Sequence, residues 1–347
     1  MTFYENRNMI RTPYIKDEYK TFIVFDFFIR NKKIYFVSTY YSSLTPVFSL
    51  KIEKVALTDF QVKEQEPIHY LSGAVDGRRE FNLFINGNFF CVQPALVKPL
   101  IIRRRLVVAT LFKNETVAMI NRFLSYYRGQ GVDYFYLYFN GPELPVGLPQ
   151  GLDIMYRIWD YPYLLKADDG YLHCAQSVFL LTFKLRHFDD CDWALLIDLD
   201  EFVWSLDEGI TLIDYLTELD DSVNVVKLQN YWSMVPDSGG PISFSGIGLG
   251  WINRTKCIYR NSFKGYFGIH APKSHHNIDF LHTEIQCNDL YLLHLTTLHP
   301  ERNGLLQVPI LNTGISLLSI EGCQEERSQE EQSQEEQSTT TKTTTTS

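Results

Sequence analysis

One stretch constrains the fold more than any other: Trp193-Ala194-Leu195-Leu196-Ile197-Asp198-Leu199-Asp200-Glu201-Phe202. Its run of apolar residues reads as a strand buried on both faces. The run ends abruptly in three carboxylates within four positions. Side chains alternate across a strand, so Asp198 and Asp200 are expected to point the same way while Leu199 points back into the core. Two such carboxylates repel each other unless a cation lies between them, and hard oxygen ligands suit Mg2+ or Mn2+. Ligands of open α/β sheets bind just outside the carboxyl ends of strands, which is where this pair falls. The alternative is a strand running into a solvated acidic turn.

The rest of the chain supplies a setting for that strand. Residues 1–102 read as a small antiparallel β domain. Thr21 to Ile29 and Ile34 to Tyr41 flank a break at Asn31-Lys32-Lys33, and Phe81 to Ile85 and Phe89 to Val92 flank Asn86-Gly87. Asn-Gly accepts positive φ at both turn positions, so the second pair is the clearer hairpin. From Leu106 the pattern changes to β-α-β. A short apolar strand to Thr110 is followed by a helix with Val117, Ile120, Leu124 and Tyr127 on one face. Asn114 is placed to cap that helix and Gly131 to end it, with a strand from Asp133 to Phe139 beyond. In such a sheet the loop after the first strand binds a nucleotide, so Thr110, Asn114 and Glu115 are candidates for base or ribose contacts. A plain helix cap explains Asn114 and Glu115 equally well.

Further on, Ile154 to Trp159 reads as a strand and Asp169 to Phe188 as a helix with Leu172, Ala175, Phe179 and Phe183 inward. His173 and Gln176 fall on its first turns. After the acidic strand come a helix over Ile210–Leu219 and a strand over Asn224–Trp232. The Pro236-Asp237-Ser238-Gly239-Gly240-Pro241 loop follows, suited to closing over a substrate. Two pentads, Ser328 to Gln332 and Ser333 to Gln337, repeat in the tail, which has too few apolar residues to fold and is expected to be disordered over 321–347.

Taken together, the motifs resemble the glycosyltransferases of GT-A type, nearest to glycosyltransferase family 92 and the family-2-like enzymes. The resemblance rests on Trp193-x4-Asp198-x-Asp200-Glu201-Phe202 and on Lys113-Asn114-Glu115 followed by a helix and Gly131-Val132-Asp133. It rests further on Gln176 and, more weakly, on Lys256, His270 and His294. It covers roughly residues 104 to 300. It implies a Rossmann-like mixed sheet flanked by helices over 103–320, preceded by the β domain. It implies metal-dependent, inverting transfer of a sugar, a hexose such as galactose, from a nucleotide sugar such as a UDP-sugar to a glycan or other hydroxyl acceptor. Mn2+ or Mg2+ would be held by Asp198 and Asp200, with His294 as a further ligand. Thr110, Lys113, Asn114, Glu115, Gln176, Asp198, Lys256 and His270 would bind the donor. Inversion needs a carboxylate base facing the acceptor. Asp237 in the Pro/Gly loop is preferred and Glu284 is the second candidate.

Composition narrows the remaining choices. The net charge is −9 over 347 residues, and the tail from Glu321 holds seven acids against Arg327 and Lys342. A mildly acidic body leaves no footprint for nucleic acid. Arg103-Arg104-Arg105 is the densest basic cluster and reads as a solvated inter-domain stretch. Six cysteines without Cys-x-x-Cys spacing argue against a disulfide framework and structural zinc. No run approaches 18 apolar residues, and Met1 to Tyr14 does not read as a signal peptide, which places the protein in the cytoplasm of a bacterium or of a virus-infected host cell. Two other functions stay open: a nucleotidyltransferase using the same paired aspartates, and a sugar-binding protein without catalysis.

Overall fold

The structure is a computed structural model that describes residues 9–16, 22–39, 50–61, 68–85, 87–167, 170–172, 174–205, 209–233, 247–249, 255–273 and 283–295. His173, Asp237 and the 321–347 tail lie outside them. The protein is a mixed α/β chain. Its backbone falls into two compact units. One lies within Met1–Leu199, Ser205–Leu228 and Thr255–Asp289, the other within Asp200–Trp204, Gln229–Arg254 and Leu290–Ser347.

In the first unit, β1 (Arg104–Phe112) leads to α1 (Val117–Gly129) and β2 (Tyr134–Phe139), and then to β3 (Ile154–Ile158). Next come α2 (Cys174–His187) and β4 (Cys191–Leu196). In sheet order these strands run β3-β2-β1-β4, all parallel, and Met9–Arg11 pairs in parallel with the outer edge of β3. Parallel strands need both faces covered, which is why β1 and β4 are near-continuous apolar runs. In β1, Leu106 to Phe112 is buried throughout.

Two local expectations are corrected. Thr116, not Asn114, caps α1: its hydroxyl accepts from the Met119 amide at 3.3 Å. Asn114 has φ of +69°, a left-handed conformation incompatible with an extended N-cap residue. The helix expected from Asp169 begins only at Cys174, because Gly170–Leu172 forms a short strand antiparallel to Leu165–Ala167. Glycine's poor helix propensity suits it to that strand's start. At the end of α1, Gly131 has φ of +82° as expected of a helix stop, and a Cβ there would lie 2.2 Å from Ile213 Cγ2.

Beyond β4, β5 (Glu201–Ser205) belongs to the second unit. The helix α3 (Leu212–Glu218) carries a capping box between Thr211 and Asp214. Strand β6 (Val223–Ser233) continues from the first unit into the second, where β7 (Ile247–Leu249) pairs with its end. Strand β8 (Lys256–Arg260) is antiparallel to β4 on one side and to β6 on the other. Strand β9 (Thr283–Leu295) follows β6 in the sheet order and has β5 as its other neighbour. The antiparallel additions make the sheet mixed rather than purely doubly wound.

The N-terminal strands build three smaller sheets of five, three and two strands, antiparallel except where Ala95–Leu96 runs parallel to Asp26–Arg30. The Asp26–Arg30/Lys33–Thr39 hairpin turns at Asn31 and Lys32, with φ of 50° and 59°. Both central residues are left-handed, as a two-residue hairpin turn of the primed type requires. Phe25, Phe28 and Val37 share one core with Val178, Phe179 and Phe183 of α2. A buried ion pair crosses the same contact: Arg186 Nε and Nη2 each donate at 2.6 Å to the Asp26 carboxylate, and the guanidinium lies 4.0 Å from the Phe28 ring centre. Among the described residues no helix is long and apolar enough to cross a membrane.

Candidate active site

The acidic motif does not continue as a strand. β4 stops at Leu196, and Leu199 and Asp200 form a turn before β5 begins at Glu201. The strand does not continue through Asp198 and Asp200 as expected, so alternation no longer fixes which way the two aspartates point, although Leu199 is buried as expected. Each aspartate instead finds its own basic partner, one in each unit.

In the first unit, the partner of Asp198 comes from β8. Leu195 pairs with Ile258, so the antiparallel register carried two residues further sets Lys256 across from Ile197, beside Asp198. Lys256 Nζ lies 2.7 Å from Asp198 Oδ2, with the lysine side chain 5% exposed and the carboxylate 37%. A buried ammonium is tolerated only with a carboxylate at hydrogen-bond range. The other oxygen, Asp198 Oδ1, accepts from Gln176 Nε2 at 3.5 Å.

Gln176 owes its place to the start of α2. Trp159 Nε1 donates to the Ala175 carbonyl at 3.0 Å, and the Ala175 amide donates to the Tyr163 carbonyl at 3.4 Å. The Tyr163 hydroxyl donates to Gln176 Oε1 at 3.3 Å. Asn140, at the end of β2, secures the same loop by donating to the carbonyls of Trp159 and Tyr161 at 2.9 and 2.8 Å. Sequence reasoning found Gln176 but missed Tyr163 and Asn140. The available signal was a polar residue at the end of a strand and a tyrosine in a Pro-containing loop.

His270 is held by backbone exchange with Thr255. Its Nδ1 is 3.1 Å from the Thr255 carbonyl, and the Thr255 hydroxyl donates to the His270 carbonyl at 2.5 Å. Between Lys256 and Ile258, burial pushes the Cys257 thiol up to about 12, so it stays protonated and is no nucleophile at neutral pH. Thr110 is fully buried near the end of β1, and its hydroxyl has no hydrogen-bond partner among the described residues. Lys113 and Asn114 stand exposed beyond it, with Glu115 half-buried. Glu284, on β9, is 3.4 Å from Lys227 Nζ.

In the second unit, His294 of β9 meets the start of β5. Its Nε2 is 2.7 Å from Asp200 Oδ2, and its Nδ1 is 4.0 Å from Glu201 Oε1. Glu201 is 2% exposed, and both His294 and Asp200 are 14% exposed. The 2.7 Å contact orients the ring against Asp200, while the Glu201 carboxylate lies beyond hydrogen-bond range of the other ring nitrogen. Among the described residues, no group of three or more His, Cys, Asp or Glu side chains is already arranged around a common metal position. The carboxylate oxygens are donors that suit Mn2+ or Mg2+, whereas an imidazole nitrogen suits a transition metal better than Mg2+.

Residues 184–347 match the model of glycosyltransferase family 92. The match agrees with the resemblance carried by the acidic motif and supports sugar transfer in general terms. It includes Asp198, Asp200, Lys256, His270, Glu284 and His294, and it begins after the Thr110–Glu115 loop and Gln176. A search of curated proteins finds no match to the chain.

Proposed function

We propose that the protein is a GT-A type glycosyltransferase that moves a hexose from a nucleotide sugar, a UDP-sugar being the leading candidate, to a hydroxyl of a glycan, with inversion and with a divalent cation. One observation carries this reading: the two aspartates of the motif are each paired with a downstream base, Asp198 with Lys256 and Asp200 with His294. Those bases are two of the three C-terminal residues that the family resemblance singles out. Asp198, Asp200 and His294 would hold Mn2+ or Mg2+, and the cation when bound would neutralise the leaving diphosphate.

The side chains then divide the work. Lys256, itself buried, pairs with Asp198 and offers a cation to the diphosphate. Gln176, braced by Tyr163, fixes the second oxygen of Asp198. Asp200 holds the His294 ring in one orientation. Lys113, Asn114 and Glu115, which follow β1, contact the nucleoside, with Thr110 buried behind them. A carboxylate on the acceptor side takes the hydroxyl proton as the new bond to the sugar forms. Asp237 is the proposed base and Glu284 its alternative.

Calorimetry of UDP binding in the presence of Mn2+ tests the reading. Asp200→Asn should abolish Mn2+-dependent binding while leaving the melting temperature within a few degrees of the parent. Undiminished affinity in the variant would remove Asp200 from the site.

A further inference from the structure

We infer that the protein carries a second, non-catalytic site for an acidic saccharide. The site is a cavity of about 680 Å3 in the first unit. It opens at the end of the sheet away from Asp198. Asp192 and Trp193 line it from the start of β4, whereas Asp198 follows that strand's far end, about 20 Å along at 3.3 Å per residue. The inference stands on this groove alone and does not depend on the reading of the motif.

Two remote pieces of chain bring cations to it. Arg103 and Arg105 precede or open β1, Arg260 ends β8, and Lys264 lies four residues beyond. Two carboxylates share the lining, and each is already matched. Arg103 Nε is 2.6 Å from Asp192 Oδ1, and Arg260 Nη1 is 3.0 Å from Asp221 Oδ1. Four cations face these two carboxylates, with Asp133 3.7 Å from Arg105 just outside the lining, which leaves a surplus of one positive charge on a chain whose net charge is −9. Low-dielectric walls concentrate such a local field.

The groove is also rigid. Arg260 lies 4.6 Å from the Trp193 ring centre and donates to the carbonyls of Leu219 and Asp220, both at 3.0 Å. Asn261 is tied to the Phe188 carbonyl at 2.9 Å. Cations held this way lose little freedom when a ligand binds.

Size and chemistry identify the ligand class. The volume suits an extended ligand rather than a single small anion. Ser262 adds a hydroxyl, and Thr217 and Asn261, whose donors go to the Ile213 and Phe188 carbonyls, present acceptor oxygens that match sugar hydroxyls. Trp193 is buried and its face is taken by Arg260, so it offers nucleic-acid bases no stacking platform.

The test is calorimetry on the full chain with a sulfated, uronate-containing hexasaccharide and with neutral maltohexaose. The acidic sugar should bind, with affinity falling as salt rises, and the neutral one should not. Arg105→Glu combined with Lys264→Glu should weaken binding about tenfold or more, since reversed charges at a groove rim act directly on affinity. Should the pair of reversals lower the melting temperature, Lys264→Gln alone, at an exposed position, should still weaken binding measurably. Equal affinity in the parent and in the folded variants, no binding of the acidic sugar at millimolar concentration, or tighter binding of a single-stranded oligonucleotide would each overturn the inference.

Discussion

At the scale of single residues, the account turns on Lys256 and His294. Both were named from the sequence, but neither pairing was legible there. Lys256 is 58 residues from Asp198 and His294 is 94 from Asp200. Only the antiparallel return of β8 beside β4, and the placing of β9 next to β5 in the sheet, brings each to its acid. The buried position of Lys256 makes a sharp prediction. Removing one partner of a buried pair is costly when the other is left without water, but Asp198 is 37% exposed and can be solvated in place of the ammonium. Lys256→Met should therefore leave stability within about 1 kcal/mol by denaturant titration. Turnover should nevertheless fall by roughly two to three orders of magnitude, as when a positioned electrostatic contact to a leaving group is lost. A parallel fall in stability and activity would make Lys256 a packing residue only.

At the scale of elements, α2 joins structure to site. Its start carries Gln176, and its last turns carry Arg186 and His187 against the N-terminal strands and β2. The apolar spacing of Ala175, Phe179 and Phe183 was readable, and all three are buried. The helix start was misplaced because the short hairpin before it is set by long-range packing rather than by period. The Arg186–Asp26 pair could not be read either, since 160 residues separate the partners. Asp26→Ala should destabilise the protein by about 3–5 kcal/mol, because it leaves a buried guanidinium unpaired. Adding Arg186→Leu should recover part of that loss, and a double-mutant cycle by urea unfolding measures it.

His187 gives the same region a pH dependence. Burial, and then the charges of Arg157, Arg186 and Arg30, hold its pKa well below the usual histidine value. The ring stacks on Tyr136 at 4.4 Å between centres. In the unfolded chain the imidazole takes a proton below about pH 6.5, while in the folded chain it stays neutral. The unfolded state thus gains protons first, and stability must decline as pH falls from about 6.5 toward the lower folded value. His187→Phe should flatten that decline between about pH 6.5 and 5, measured as melting temperature against pH. An unchanged slope in the variant would show that other groups carry the dependence.

At the scale of the whole molecule, the sequence revealed the β-α-β start, the apolar β4 run and the β-rich N-terminal region, because local hydrophobic period reports local structure. Strand order was not readable in advance. The placing of β8 between β4 and β6, and of Met9–Arg11 at the edge beside β3, depends on pairings between residues far apart in the chain. The extent of the acidic strand was misread: the apolar run was legible, but the strand stops at Leu196, short of Asp198 and Asp200. The central claim is cation-dependent sugar transfer, and the nucleotide product tests it most directly. The protein would be incubated with UDP-hexoses and Mn2+, alongside an Asp198→Asn, Asp200→Asn double variant, and the nucleotides resolved by chromatography. The account predicts free nucleoside diphosphate, lost on chelation and reduced by roughly two to three orders of magnitude in the variant. Pyrophosphate as the product, or undiminished nucleoside diphosphate from the variant, would contradict it.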